Sequence, residues 1–265
     1  MNTSKKRLFF GMEIEAPWPV HWPKGRMLKE ANLHVTLAFL GSVFFEDVKS
    51  ILPVFPAPSF SFGPCGSFDA CLFLPLKESR AAAWHIDWPE PSILAFQKRL
   101  VHWLGENKFS VSSKSWLPHV TLCRRPFEAN EWKDHFRPLP CCAGTIHLYE
   151  HVASLTYRSL WSWPLLPPFK EIEHAADLAF HVYGEDVHQL YLHAFWALCF
   201  KHPLLLGYFQ KPKEIESVEQ IVIHLNQAIS HADQELGCPF KAVSFHGEVE
   251  PFAKKFMQWE MIVDV

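Results

Sequence analysis

The tetrapeptide His-Val-Thr-Leu occurs twice in this 265-residue chain, as His34-Val35-Thr36-Leu37 and as His119-Val120-Thr121-Leu122. Each copy alternates polar and apolar residues, the pattern of a half-buried β-strand. Successive side chains of a strand point to opposite faces, so His34 shares a face with Thr36, and His119 with Thr121. Val35, Leu37, Val120 and Leu122 then anchor the other face in a core. With sixteen histidines in the chain, a single His-x-Thr carries little weight. Two identical copies, each in a β pattern and separated by a helical segment, imply a pseudo-twofold fold with one motif per lobe. If the two strands face each other across a cleft, two imidazoles and two hydroxyls converge on one small volume. That arrangement suits acid/base chemistry on a phosphate.

The remaining pattern is mixed α and β. Residues 7–15 read as an opening strand, and Pro17, Trp18, Pro19, Trp22 and Pro23 exclude regular structure after it. Glu46 to Leu52 looks helical, and residues 60–75 and 81–85 look strand-like. Ser92 is expected to cap a helix whose stripe is Ile93, Phe96, Leu100 and Leu104. Pro118 biases Leu117 toward extended geometry ahead of the second motif, and residues 145–157 supply a strand pair. Trp163-Pro164-Leu165-Leu166-Pro167-Pro168 is the strongest boundary, since its three prolines make a semi-rigid connector. Beyond it, 169–183 is expected as one strand closed by Gly184. Val187, Leu190, Tyr191, Ala194 and Leu198 mark one helix. Ser217 with Gln220 caps a second, whose stripe is Ile221, Leu225, Ala228, Ile229, Ala232 and Leu236. Strands near 239–248 and 256–265 finish the chain.

Composition separates two domains, 1–166 and 167–265. The first carries 18 Lys/Arg against 14 Asp/Glu and nine of the eleven tryptophans; the second carries 7 Lys, no Arg and 14 Asp/Glu. The basic part fits a polyanion, and the acidic part fits metal binding or a basic protein surface. No apolar stretch approaches the length of a membrane-spanning helix. The run Leu8-Phe9-Phe10-Gly11-Met12 is too short, and too soon followed by Glu13 and Glu15, for a signal peptide. Seven cysteines without metal-like spacing indicate reduced thiols and a cytoplasmic location, with Cys141 and Cys142 as buried small residues.

The first part resembles the 2H phosphoesterases, and within them the LigT-like RNA 2′,3′-cyclic phosphodiesterases, also called 2′-5′ RNA ligases. The resemblance rests on Arg7-Leu8-Phe9-Phe10-Gly11, on Asn32 to Gly41 around the first motif, and on Pro118 to Arg124 around the second. Leu148-Tyr149-Glu150, Tyr157 and Trp163-Pro164-Leu165 complete it. The implied fold is α+β and bilobal, with two antiparallel sheets lining a central cleft. The implied reaction is hydrolysis of a terminal RNA 2′,3′-cyclic phosphate to a 2′-phosphomonoester, without a metal cofactor. By the resemblance, His34 protonates the leaving 3′ oxygen and His119 is the base on water, although the identical motifs alone assign neither role. Thr36 and Thr121 would donate to the non-bridging oxygens. Of Arg124 and Arg125, both able to meet phosphate bidentately, Arg124 is preferred because it is placed on the histidine's face of the strand. Tyr149 and Trp116 are aromatic candidates for base stacking, though aromatics more often belong to a core.

The second part resembles archease, the small protein that assists the tRNA-splicing RNA ligase. Phe169 to Gly184 carries the resemblance at one end, and Phe240 to Gly247 with Trp259-Glu260-Met261-Ile262-Val263-Asp264-Val265 at the other. It implies a smaller α+β domain in which Asp177, Asp264 and the carboxylate of Val265 bind a divalent cation, Ca²⁺ or Mg²⁺, with Lys241 on the active surface. Hard cations take such oxygen donors. The spacing of His174, His181, His188 and His193 fits no zinc motif. The expected partners are RNA with 2′,3′-cyclic phosphate ends, such as tRNA fragments, and a ligase of the tRNA-splicing type, with no membrane. The rival readings are a non-enzymatic RNA-end adaptor and a phosphodiesterase for a small cyclic nucleotide.

Overall fold

The structure is a computed structural model that describes residues 4–112, 115–153, 155–209, 214–244, 249–253 and 255–265. The chain divides into two compact units, Met1–Arg137 with Cys141–Leu166, and Pro138–Pro140 with Pro167–Val265.

The first unit carries β1 (Lys6–Glu15), β2 (Arg26–Met27), β3 (His34–Val43), α1 (Phe45–Ile51), β4 (Cys65–Leu74), β5 (Ala81–Asp87), α2 (Ser92–Glu106), β6 (His119–Arg124), α3 (Ala129–His135), β7 (Leu139–Ala153) and β8 (Thr156–Trp163). The two expected sheets are one. Eight strands run in the order β1-β3-β6-β5-β4-β7-β8, with β2 on β6 and a further β1–β7 pairing that closes the path. The halves meet where β3 and β6 pair antiparallel at Val35↔Val120, the central residues of the two motifs. The pseudo-twofold axis therefore passes between the two copies. Val35, Val120 and Leu122 are fully buried and Leu37 nearly so; anchoring each contributes about 1.5–3 kcal/mol.

Each copy also bends in the same way. On β3 the register against β1 slips between Phe10↔Ala38 and Gly11↔Thr36, leaving Leu37 as a bulge. On β6 the register against β5 slips between Ala82↔Cys123 and Ala83↔Thr121, leaving Leu122 as a bulge. A bulge turns the residues beyond it by one face. The α2 stripe is buried as its spacing predicts, at Ile93, Phe96, Leu100, Trp103 and Leu104. Its cap differs: Pro91 holds the N-cap position and Ser92 is the first helical residue, its hydroxyl making no capping bond. The Trp-Pro segment is irregular and packs inward. Trp22 lies 5.3 Å from Trp84 and 5.8 Å from Trp132, and Trp18 lies 5.3 Å from Phe68 (ring centroids).

The second unit carries β9 (Phe169–Ile172), β10 (Leu178–Gly184), α4 (Val187–Lys201), α5 (Val218–Leu236), β11 (Ala242–Val243), β12 (Val249–Phe252) and β13 (Phe256–Asp264). Its antiparallel sheet runs β11-β13-β10-β9, with β12 also on β13. The strand expected over 169–183 is two strands, separated where Glu173-His174-Ala175-Ala176-Asp177 interrupts the apolar alternation. The strand expected near 239–248 is represented by β11; residues 245–248, which hold part of the matched Phe240–Gly247 segment, lie outside the described residues. Ser217 caps α5 through Gln220 N–H, and the Gln220 side chain reaches back to Glu216 N–H at 2.8 Å. Asn226 of α5 clamps Val243 through both backbone groups, at 2.7 and 3.0 Å. No described helix is long and apolar enough to cross a membrane, and all seven cysteines are free, with Cys141 and Cys142 buried.

Candidate active site

The four motif side chains rise from the centre of the first unit's sheet. Extending the Val35↔Val120 register by one residue sets His34 opposite Thr121, and Thr36 opposite His119. All four line one cavity of about 730 Å³.

Both rings are held alike. Nδ1 of His34 bonds the carbonyl of Asn32 at 2.7 Å, and Nδ1 of His119 bonds that of Leu117 at 2.8 Å. A carbonyl only accepts, so each Nδ1 donates and each Nε2 is left as the proton-exchanging nitrogen. The surroundings differ. His34 is packed among Phe9 (4.9 Å), Tyr157 (4.9 Å) and Tyr149 (5.4 Å), and burial draws its pKa down to about 4. His119 is also lowered, first by burial and then by the charges of Arg124 and His85. Both rings are therefore neutral at pH 7.

Arg124 lines the same cavity, for a reason other than strand parity. Simple alternation from His119 and Thr121 would turn position 124 to the core face. The bulge at Leu122 reverses the parity and returns the guanidinium to the cleft. By the same device Phe39, three residues past Thr36, faces the cavity as the first-copy counterpart of Arg124. Arg125 also lines the cavity.

Arg7, Arg26 and Arg80 join them, which the sequence did not single out as site residues, and no carboxylate lines the cavity among the described residues. Arg26 pairs with Arg124 across β2–β6, and Arg125 N–H bonds the carbonyl of Arg80 at 3.2 Å. Arg7 lies 5.0 Å above the Phe39 ring. The guanidiniums Arg26, Arg80, Arg124 and Arg125 thus bank the second motif, while Phe9, Phe39 and Tyr157 line the side of the first. An anion entering this volume meets positive charge and two imidazole nitrogens together. Comparing His34–Phe39 with His119–Arg124 as six-residue copies would have exposed Phe39; nothing local marks Arg26 or Arg80, which reach the site through β2 and β5.

The two aromatic candidates serve the framework. Trp116 Nε1 donates to the carbonyl of Thr36 at 2.8 Å, tying the approach to the second motif onto the first. Tyr149 is buried among His34, His147 and Phe9.

In the second unit, Leu178 pairs with Val263, so one step further sets Asp177 beside Asp264. The Asp264 carboxylate accepts from Ser244 Oγ at 3.3 Å, Asp177 lies 3.8 Å from His174 Nδ1, and Lys241 Nζ donates to the Val265 carbonyl at 2.6 Å. His181 stands 3.7 Å from Glu260, and His193 Nδ1 donates to the Tyr183 carbonyl at 2.6 Å. Asp177, Asp264 and Val265 are hard oxygen donors and fit a divalent cation in donor type, with the Lys241 ammonium already on one of them. Among the described residues, no group of three or more His, Cys, Asp or Glu side chains is placed to hold a metal ion.

The chain matches no protein-family model and no curated protein. Among solved structures it is similar to Escherichia coli LigT complexed with 3′-AMP, at 24% identity and TM-score 0.47, over 61% of this chain and 98% of that one. The protein TT0787 of Thermus thermophilus is similar at 18% identity and TM-score 0.46, over 61% and 98%. A phosphoesterase crystal structure is similar at 23% identity and TM-score 0.45, over 61% and 99%.

Proposed function

We propose that the first unit hydrolyses phosphodiesters, and specifically opens terminal RNA 2′,3′-cyclic phosphates to 2′-phosphomonoesters. The observation that carries this reading is the pairing of two His-x-Thr copies about one axis, in a cleft banked by arginines. Arg124, Thr36 and Thr121 bind the non-bridging oxygens, whose charge grows in the transition state. Nε2 of His119 takes a proton from water, the water oxygen attacks phosphorus, and Nε2 of His34 gives a proton to the departing 3′ oxygen. His34 by itself is neutral at pH 7, so the substrate must charge it. The aromatic packing that desolvates this ring also strengthens its attraction to a bound phosphate anion, which raises its pKa when the substrate is in place. Paired imidazoles supply both proton transfers, so the proposed reaction needs no metal.

For the second unit the proposal is an archease-like role in assisting an RNA ligase of the tRNA-splicing type in the cytoplasm, with Asp177, Asp264 and Val265 holding Ca²⁺ or Mg²⁺. A cation there would supply a fixed positive charge in an otherwise acidic unit.

Incubation with a short RNA ending in a 2′,3′-cyclic phosphate tests the first reading. The expected product is the 2′-phosphate, formed equally well in EDTA. His34→Ala and His119→Ala should each lower turnover by about 10²-fold or more while leaving the fold intact. Binding without turnover by the native protein would favour the adaptor. Turnover of 2′,3′-cyclic mononucleotides alone would move the substrate to the small-molecule class.

A further inference from the structure

The axis between β3 and β6 relates more than the motifs. Glu13 of β1 lies opposite His34, and His85 of β5 lies opposite His119. The positions two residues along also correspond, with Gly11 opposite Thr36 and Ala83 opposite Thr121. Glu13 and His85 are therefore equivalent places in the two halves. Each belongs to a carboxylate–imidazole pair reaching the strand behind it. His147 Nε2 of β7 donates to Glu13 Oε1 at 2.9 Å, and His85 Nδ1 donates to Asp69 Oδ1 of β4 at 2.6 Å. The order is inverted. The member beside the motif histidine is the carboxylate in the first half and the imidazole in the second.

Both pairs are built into the sheet. Asp69 sits at a register slip between Phe68 and Ala70, which frees its carboxylate to meet His85. His147 is buried, and its Nδ1 is held by Ser159 Oγ at 2.9 Å and Ser162 Oγ at 2.8 Å. Identical motifs with identical backbone hydrogen bonds have no intrinsic reason to differ in proton affinity, whereas the reaction needs one acid and one base.

We infer that the two inverted pairs make this distinction, Glu13 favouring a proton on His34 and the His85–Asp69 pair disfavouring one on His119. Glu13, His147, His85 and Asp69 are then positioning residues. Directly opposed residues of an antiparallel pair stand close enough for their charges to be felt. Among the other charged groups, Arg26, Arg80, Arg124 and Arg125 bank the second motif and act in the same sense as His85, against a proton on His119. His119 is faced by Arg124 on its own strand, by His34 from β3, and by Arg26 of β2 beside Arg124. His34 is faced by His119 and Arg124 from β6, and otherwise by the aromatic rings of Phe9, Tyr149 and Tyr157. Arg124 lowers both histidines and His85 acts on His119 alone, whereas the Glu13 half of the inference stands on its register opposite His34.

The inference rests on the acid/base reading above, and its test has a readout independent of turnover. In the full-length protein, NMR follows the titration of the His34 and His119 rings, with and without inorganic phosphate, beside a pH–rate profile on cyclic-ended RNA. Glu13→Gln and Asp69→Asn change charge but not shape, on side chains 49% and 46% exposed, so folding is preserved. Asp69→Asn and His85→Gln should raise the His119 midpoint by about half a pH unit or more, and move the ascending limb to higher pH. Glu13→Gln should lower the His34 midpoint and move the descending limb to lower pH. Shifts of the same histidine by both sets, or of neither in folded variants, would overturn the inference. A wild-type protein that turns nothing over while its midpoints move as stated would sustain the inference and remove the enzymatic reading.

Discussion

His34 and His119 have the same sequence neighbours and the same backbone hydrogen bond, yet they stand in different media. Burial holds His34 neutral down to about pH 4, while the unfolded chain takes up that proton near 6.5. A histidine with a depressed folded-state pKa adds stability that is complete above about pH 6.5 and is lost as pH falls toward 4. Melting curves of the native protein and of His34→Ala, compared across that window, should converge in stability as the pH drops, because the variant has no such proton to take up. A constant difference between the two would contradict the assignment. Gly11 shows how tightly the ring is held. A Cβ there would come within 3.0 Å of the Val35 carbonyl and 3.4 Å of His34 Cδ2. The His-x-Thr residues were legible because period-two alternation is a local property. The depression at His34 was not, because Phe9, Tyr149 and Tyr157 come from three other strands.

Among the elements, the paired bulges matter most. A bulge leaves backbone groups outside the ladder, and each copy satisfies them differently. In the second copy the Leu122 carbonyl accepts from Leu28 N–H at 2.9 Å. In the first, Gln97 Nε2 of α2 donates to the Leu37 carbonyl at 3.0 Å and Trp116 Nε1 donates to that of Thr36 at 2.8 Å. The first motif is thus steadied by side chains that single substitutions can remove. Trp116→Phe keeps most of the ring and loses the donor. It should cost about 1 kcal/mol in chemical denaturation and lower kcat more than it raises KM, since Thr36 meets the charge of the transition state. A kcat equal to wild type would show that the bond only stabilises the fold. The strands and α2 followed from hydrophobic period, whereas the bulges did not, because a slipped register exists only relative to a partner strand. Arg124 shows the consequence: alternation alone turns it toward the core, and only the slipped register brings it to the cleft.

For the molecule as a whole, the division of charge accompanies two different chemistries, an arginine-banked cleft in the first unit and carboxylates beside the last strand of the second. The cation proposal is tested here. Ca²⁺ or Mg²⁺ added to the full-length protein should raise the melting temperature of the native chain and not that of Asp177→Ala. Equal shifts in both proteins would remove Asp177 from the ligand set. By itself the sequence determined the duplicated motif strands, the helical stripes, the proline-rich connector and the charge of each part, all of which depend on neighbours within a few residues or on simple sums. Only the tertiary structure decided that one sheet, not two, carries the motifs, that Arg26 and Arg80 join Arg124, and that a carboxylate stands beside one histidine and an imidazole beside the other. Those facts are set by which strands pair and where their registers slip, and strand pairing joins residues that the chain keeps tens of positions apart.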